Sequence, residues 1–249
     1  MNLNEHVFQY CERASTAFWS EPVNALSNLP FMVAAWAVWR MLGQDRLTPD
    51  RAIPVSVGFT VPLMSCIGLG SFAFHTAATR WAQILDVAPI GLFVLWYLAG
   101  FLHWFHGLSW RRCLLGVAGF VGFLGAFVAA AGAHVPNKSG TYVPVLLLLI
   151  GLTAHLRTTR AASLRSYSET FAWATACFAV ALLARTVDES VCGSFPLGTH
   201  FLWHLFDALV VLIVSRALVH RWRTRTGMAT PGFTEPLRRV RQGPGDRGG

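Results

Sequence analysis

Apolar residues run through this chain in blocks of about twenty, much longer than the runs that bury one face of a soluble helix or strand. Stretches free of interior charge fall at 23–42, 52–75, 86–105, 112–132, 141–157, 169–187 and 200–220. Blocks of this length match the hydrocarbon layer of a bilayer, about 30 Å thick at about 1.5 Å per helical residue. The fifth is the shortest and begins beside Pro144. The pattern predicts an all-α integral membrane bundle of seven transmembrane helices over residues 1–220. Residues 221–249 are rich in Arg, Gly and Pro and read as a disordered basic cytoplasmic tail. No internal repeat and no second domain is visible. Composition agrees, with 54% hydrophobic residues against 13% charged and a mean hydropathy of +0.47.

The first apolar run follows a mixed segment containing Glu5, Glu12 and Glu21, which does not fit a cleavable signal peptide. The first helix itself is then expected to direct insertion. Basic residues set the orientation: with the N-terminus outside and the C-terminus cytoplasmic, 16 of the 20 Lys and Arg fall on the cytoplasmic side. Arg13, Arg80, Lys138 and Arg185 are the exceptions. Topology and contact with anionic lipid at the cytoplasmic face therefore account for the net charge of +8, and no nucleic-acid partner is expected.

This topology carries candidate chemistry to one face. The end of the second span, the start of the third and the start of the seventh all lie outside, and there stand His75, Asp86 and the pair His200 and His204. Glu12, Glu21, Asp188 and Glu189 fall on the same side. Ionisable groups in a membrane need partners, a cavity or a metal, since a charge at the bilayer centre costs roughly 2.5–3.5 kcal/mol on insertion scales. His200 and His204 are one helical turn apart and project from one face, so they suit a single ion. His75 adds a third nitrogen, and Ser71 lies one turn inside it. Three neutral imidazoles with an open position are the arrangement of a catalytic zinc. Ten residues separate His75 from Asp86, a tight return that puts a carboxylate within reach as general base and then acid. Ser71 is placed to hydrogen-bond an oxyanion. Asp207, on the stripe of His200 and His204, either orients a ligand imidazole through its second ring nitrogen or caps a polar cavity. His103, His106, His134, His155 and His220 read as packed or interfacial side chains.

The same residues resemble the alkaline ceramidase family, integral-membrane zinc amidases in a seven-helix hydrolase superfamily that also includes adiponectin-receptor-like proteins. The resemblance is carried by Cys11 and Glu12; by Glu21, Asn24, Ser27 and Asn28; by Gly70, Ser71, Phe72, Ala73, Phe74 and His75; by Asp86 and Pro89; and by Asp188, Cys192, His200, Trp203 and His204. It implies that His75, His200 and His204 hold Zn2+, that Asp86 activates water, and that Ser71 stabilises the tetrahedral intermediate. The substrate would be a ceramide-like N-acyl lipid cleaved to a fatty acid and a sphingoid base or related amine, at a site near the periplasmic or lumenal face. It also implies a disulfide between Cys11 and Cys192, both on the outer side, whereas Cys66, Cys113 and Cys177 read as core. Two departures stand out. Val87 occupies a position that is commonly acidic in the family. The family's Ca2+ site keeps Glu12 and Glu21, but Gln9 and Ala14 replace an Asp and an Asn, and the interval between the two glutamates is shortened. Two other readings compete with an amidase. One is a non-enzymatic receptor or lipid-binding protein with a structural zinc. The other is a bis-histidine haem or ion-transport protein, which would leave Ser71 and Asp86 without a role.

Overall fold

The computed structural model describes residues 2–45 and 52–227. Among the described residues the chain is all helical, with no strand. In chain order the helices are α1 (Pro22–Leu26), α2 (Leu29–Asp45), α3 (Val55–Gly58), α4 (Thr60–Ala77), α5 (Arg80–His106), α6 (Trp110–Ala131), α7 (Val143–Thr158), α8 (Ala162–Arg165), α9 (Ser168–Val191) and α10 (His200–Arg225). Two 3-10 turns join α6 to α7.

Among the described residues, six stretches are long and apolar enough to cross a membrane: Val55–Ala77, Arg80–His106, Trp110–His134, Ser139–Thr158, Ala162–Val191 and His200–Arg225. They coincide with the last six runs expected from the sequence. The first expected run, 23–42, is instead divided between the short α1 and the 17-residue α2. Pro30 is the physical reason for the break. Its ring would clash with the carbonyl of residue 26 in a continuous helix, and it has no N–H to give. The chain turns at residues 27–28, where the Ser27 hydroxyl and the Asn28 amide both donate to the Asn24 carbonyl, at 2.8 and 2.9 Å. The last helix continues to Arg225, past the expected end at 220. The remainder of the predicted tail, 228–249, lies outside the described residues.

The long helices pack as a ring in which α5 lies against α4, α4 against α2, α2 against α10, α10 against α9 and α9 against α7, while α6 leans on α5. The central α10 also touches α5 and is the most enclosed span, whereas α6 is the least. Aromatic and aliphatic side chains such as Phe31, Met64, Phe101, Phe171 and Leu218 fill the middle. The amino-terminal segment closes one end of the bundle. Its backbone bonds the α4–α5 turn through Val7 N–H to Ala78 O (2.7 Å) and Arg80 N–H to Glu5 O (3.1 Å). A salt bridge between Arg80 and Glu5 at 2.7 Å adds to this and holds the Glu5 carboxyl below its usual range.

Candidate metal and hydrolytic centre

The site forms where the amino-terminal segment covers the ends of α4, α5 and α10. Its geometry begins with one close helix crossing. Pro89 has no N–H, so the Leu85 carbonyl in the preceding turn of α5 has no donor at the usual position. Gly70 of α4 packs directly onto that carbonyl, and a Cβ at residue 70 would overlap the Leu85 backbone. The two following residues, Ser71 on α4 and Asp86 on α5, are thereby brought side by side. Asp86 is buried, with Ser71 and His75 as its neighbours.

The start of α10 is held just as firmly. Asp188 of α9 is fully buried and accepts the N–H groups of Thr199 (2.7 Å) and His200 (2.9 Å) with one oxygen and that of Cys11 (3.0 Å) with the other. It satisfies donors that a helix N-terminus otherwise leaves orphaned. Gly198 has φ +64°, and a Cβ there would run into the Asp188 carboxylate, so glycine is required on both counts. Cys11 and Cys192 are joined in a disulfide, Cα to Cα 5.1 Å, tying the amino-terminal segment to the end of α9.

His75, His200 and His204 converge in this frame. All three are buried, and one potential ligand atom from each lies within 4.8 Å of the other two. Their ring centroids are 4.6–5.2 Å apart. The surrounding hydrogen bonds determine which nitrogens are free. The Nδ1–H of His75 donates to the Glu21 carboxylate at 2.6 Å, which leaves the lone pair on Nε2. Because the Ser27 hydroxyl gives its proton to Asn24 O, it accepts from Nδ1–H of His204 at 2.7 Å, and Nε2 of His204 is again the lone-pair nitrogen. His75 Nε2 and His200 Nδ1 are buried with no hydrogen-bond partner among the described residues. Buried polar atoms seldom go unpaired, and three imidazoles presented this way fit the donor set of a zinc site. Ser71 Oγ lies 3.3 Å from His204 Nε2, beside the position that an ion would take.

Of the two roles open to Asp207, orienting a ligand imidazole is filled at His75 and His204 by other residues. Glu21 orients His75, and Ser27 orients His204. Asp207 is buried, its Oδ1 has no partner among the described residues, and it lines a cavity running along α10 past Val210, Val211 and Val214. Phe31, Phe93 and Leu149 are among the other walls, so the cavity is apolar apart from Asp207 and Tyr97.

Glu12 and Glu21, the two acids kept from the family's Ca2+ site, both have their carboxylate oxygens bound by groups of the chain itself. Glu12 caps α1, its two oxygens accepting Val23 N–H at 2.7 Å and Asn24 N–H at 2.8 Å. Glu21 is bound by Arg13, by His75 and by the Asn24 amide at 3.1 Å. Burial pushes the Glu21 carboxyl up, yet His75 and Arg13 outweigh it and hold the group below its ordinary range.

Besides Ser27, whose place in the motif carried no role, three site residues stand outside the motifs read from the sequence. Tyr10 stacks on His200 with ring centroids 3.5 Å apart and planes 9° from parallel, and burial raises its phenol well above the ordinary value. Arg185 bonds the Tyr10 hydroxyl and lies 5.0–5.4 Å from the ring centres of Tyr10, Tyr142 and Trp203. Arg13 completes the set. Arg185 carried a usable signal, an arginine inside an apolar span. Tyr10 and Arg13 carried none, because their roles arise from a segment with no periodicity.

A family model described as ceramidase matches residues 6–229, a range that includes every residue of this centre. No curated protein is detectably similar to the chain. A family match spanning nine-tenths of the sequence, over a buried histidine cluster with a serine and an aspartate beside it, shows that the chain belongs to the ceramidase family.

Proposed function

We propose that the protein is a zinc-dependent intramembrane amidase that hydrolyses a ceramide-like N-acyl lipid to a fatty acid and a sphingoid base or related amine. Family membership implies ceramide hydrolysis. The observation that carries the finer reading is the convergence of three buried imidazoles, two with Nδ1–H already committed to Glu21 and Ser27. His75, His200 and His204 would hold the ion. When bound, zinc supplies Lewis-acid polarisation of a carbonyl and a water that ionises near neutral pH.

The chain's own groups supply the remainder. Asp86 takes a proton from the attacking water and returns it to the departing nitrogen, so the C–N bond breaks to give an acid and an amine. Ser71 donates to the oxygen on which negative charge develops. The cavity lined by Phe31, Phe93, Leu149 and Val210 suits an acyl chain, and Asp207, one turn along α10 from His204, is one of its few polar lining groups. In this reading α1 and α2 together form a seventh span. The N-terminus and the site face the periplasm or lumen, and the C-terminus faces the cytoplasm and its anionic lipid. The charge distribution supports this orientation, and so does the disulfide, which persists in an oxidising compartment.

The test is fatty-acid release from a panel of N-acyl lipids, with metal analysis, for wild type, His204→Ala and Asp86→Asn. Turnover with one zinc per chain is expected. His204→Ala should lose both zinc and turnover, while Asp86→Asn should lose turnover and keep its zinc. Full zinc with no amide cleaved in the wild type would instead favour a receptor or lipid-binding protein with a structural metal.

A further inference from the structure

A buried carboxylate needs hydrogen-bond donors or a compensating cation, and at Glu21 the chain provides both. Glu21 is 2% exposed and Arg13 6% exposed. The guanidinium meets the first Glu21 oxygen through Nε–H. Its Nη2–H donates to the backbone carbonyl of His75 at 2.7 Å and its Nη1–H to Ser15 O at 3.0 Å. The second Glu21 oxygen takes Nδ1–H of His75. Arg13 thus grips the same histidine at two points, directly at the main chain and through Glu21 at the ring. The planar fork of arginine suits this geometry, and a lysine would satisfy fewer of the contacts.

Most side-chain oxygens near Glu21 that could ligate a hard cation are engaged elsewhere. Both Glu12 oxygens accept backbone N–H groups. The Gln9 carbonyl accepts the Gln83 amide at 3.0 Å, on the α5 side. Ala14 has no side-chain oxygen. Asn24 Oδ1 is buried without a partner among the described residues, a single amide oxygen set against the six to eight ligands that calcium takes.

We propose that Arg13 takes the structural place of a divalent cation in this protein, neutralising Glu21 and locking the orientation of His75, so that the amino-terminal segment and the histidine centre are organised without calcium. Arg13 is a positioning residue. The part of the inference that concerns zinc rests on the reading of His75 as a ligand, and the part that concerns calcium does not.

Two measurements test it. Wild-type protein dialysed into calcium-free buffer is assayed for bound calcium, and its thermal midpoint is followed as calcium is raised to millimolar levels. No retained calcium and an unmoved midpoint are expected, because an occupied site would stabilise the fold in proportion to ln(1 + [Ca2+]/Kd). One calcium per chain with a rising midpoint would overturn the proposal. Zinc affinity and the visible spectrum of the cobalt-substituted protein are then compared for wild type, Arg13→Lys and Arg13→Ala. Loss of a group that holds a metal-binding histidine in place costs about 10–100-fold in metal affinity, so Arg13→Ala should fall in that range with an altered cobalt spectrum. Arg13→Lys should be intermediate. Wild-type affinity and spectrum in both variants would overturn the positioning role. If Arg13→Ala does not fold, Arg13→Lys and the calcium measurement still decide. A wild type that binds neither zinc nor cobalt would sink the metal reading of His75, while the calcium result would stand on its own.

Discussion

At the scale of single residues, the centre is organised by which nitrogen of each imidazole is already engaged. Glu21 and Ser27 each take an Nδ1–H, leaving the Nε2 atoms of His75 and His204 as lone-pair donors. Glu21→Gln keeps the shape but loses the charge that pairs with Arg13 and His75, and it is expected to weaken zinc binding by about 10–100-fold, measured by competition with a chromogenic chelator. In the amidase proposed above, Ser71→Ala would remove one donor to the developing oxyanion. It is expected to lower kcat by about 10²–10³ with zinc content unchanged, which steady-state kinetics with metal analysis would show. Equal kcat for Ser71→Ala and wild type would remove Ser71 from the chemistry. The histidine cluster was legible from residue type and spacing, because imidazoles at the ends of two apolar helices are carried to one end of the bundle. The roles of Tyr10, Arg13 and Ser27 were not legible, since each depends on where an aperiodic segment or a broken turn lies in space.

At the scale of elements, two junctions deliver those residues. The α4–α5 crossing depends on Gly70 sitting against a carbonyl that Pro89 leaves without its helical donor. Gly70→Ala puts a methyl group into that contact, and overpacking of this kind typically costs about 1–3 kcal/mol. The expected result is a lower thermal midpoint and a loss of turnover larger than the loss of stability explains, because Ser71 and Asp86 move apart. The α9–α10 junction depends on Asp188, which serves three backbone N–H groups. Asp188→Ala leaves those donors unpaired at a cost of about 1–3 kcal/mol or more, and Asp188→Asn, which keeps one acceptor oxygen, should fall between Asp188→Ala and wild type in thermal unfolding. Helix boundaries followed hydrophobic run length over the last six spans. They failed over 23–42, where composition marks a single apolar block and one proline divides it.

At the scale of the whole molecule, the disulfide, the Val7 and Arg80 backbone bonds and the Arg13 contacts clamp the amino-terminal segment over one end of a helical ring. Cys11→Ser is expected to leave the bundle inserted and less stable by about 2–4 kcal/mol, read as a lower midpoint that reducing agent no longer shifts. A variant as stable as the oxidised wild type would mean that the clamp rests on the other contacts alone. The membrane-embedded, all-helical class was determined by the sequence, because apolar runs of this length have no other stable solvent and helices satisfy their own backbone. So was the identity of the chemical groups, since three histidines, a serine and an aspartate recur at helix ends that topology carries to one face. Only tertiary structure decided which carboxylate serves which partner. Glu21 turns to His75 and Arg13, Asp188 caps α10, and Asp207 faces an apolar cavity. Hydropathy and spacing act along one helix or one run, whereas these assignments depend on contacts between groups up to 177 residues apart, closed by packing and not encoded in any local period.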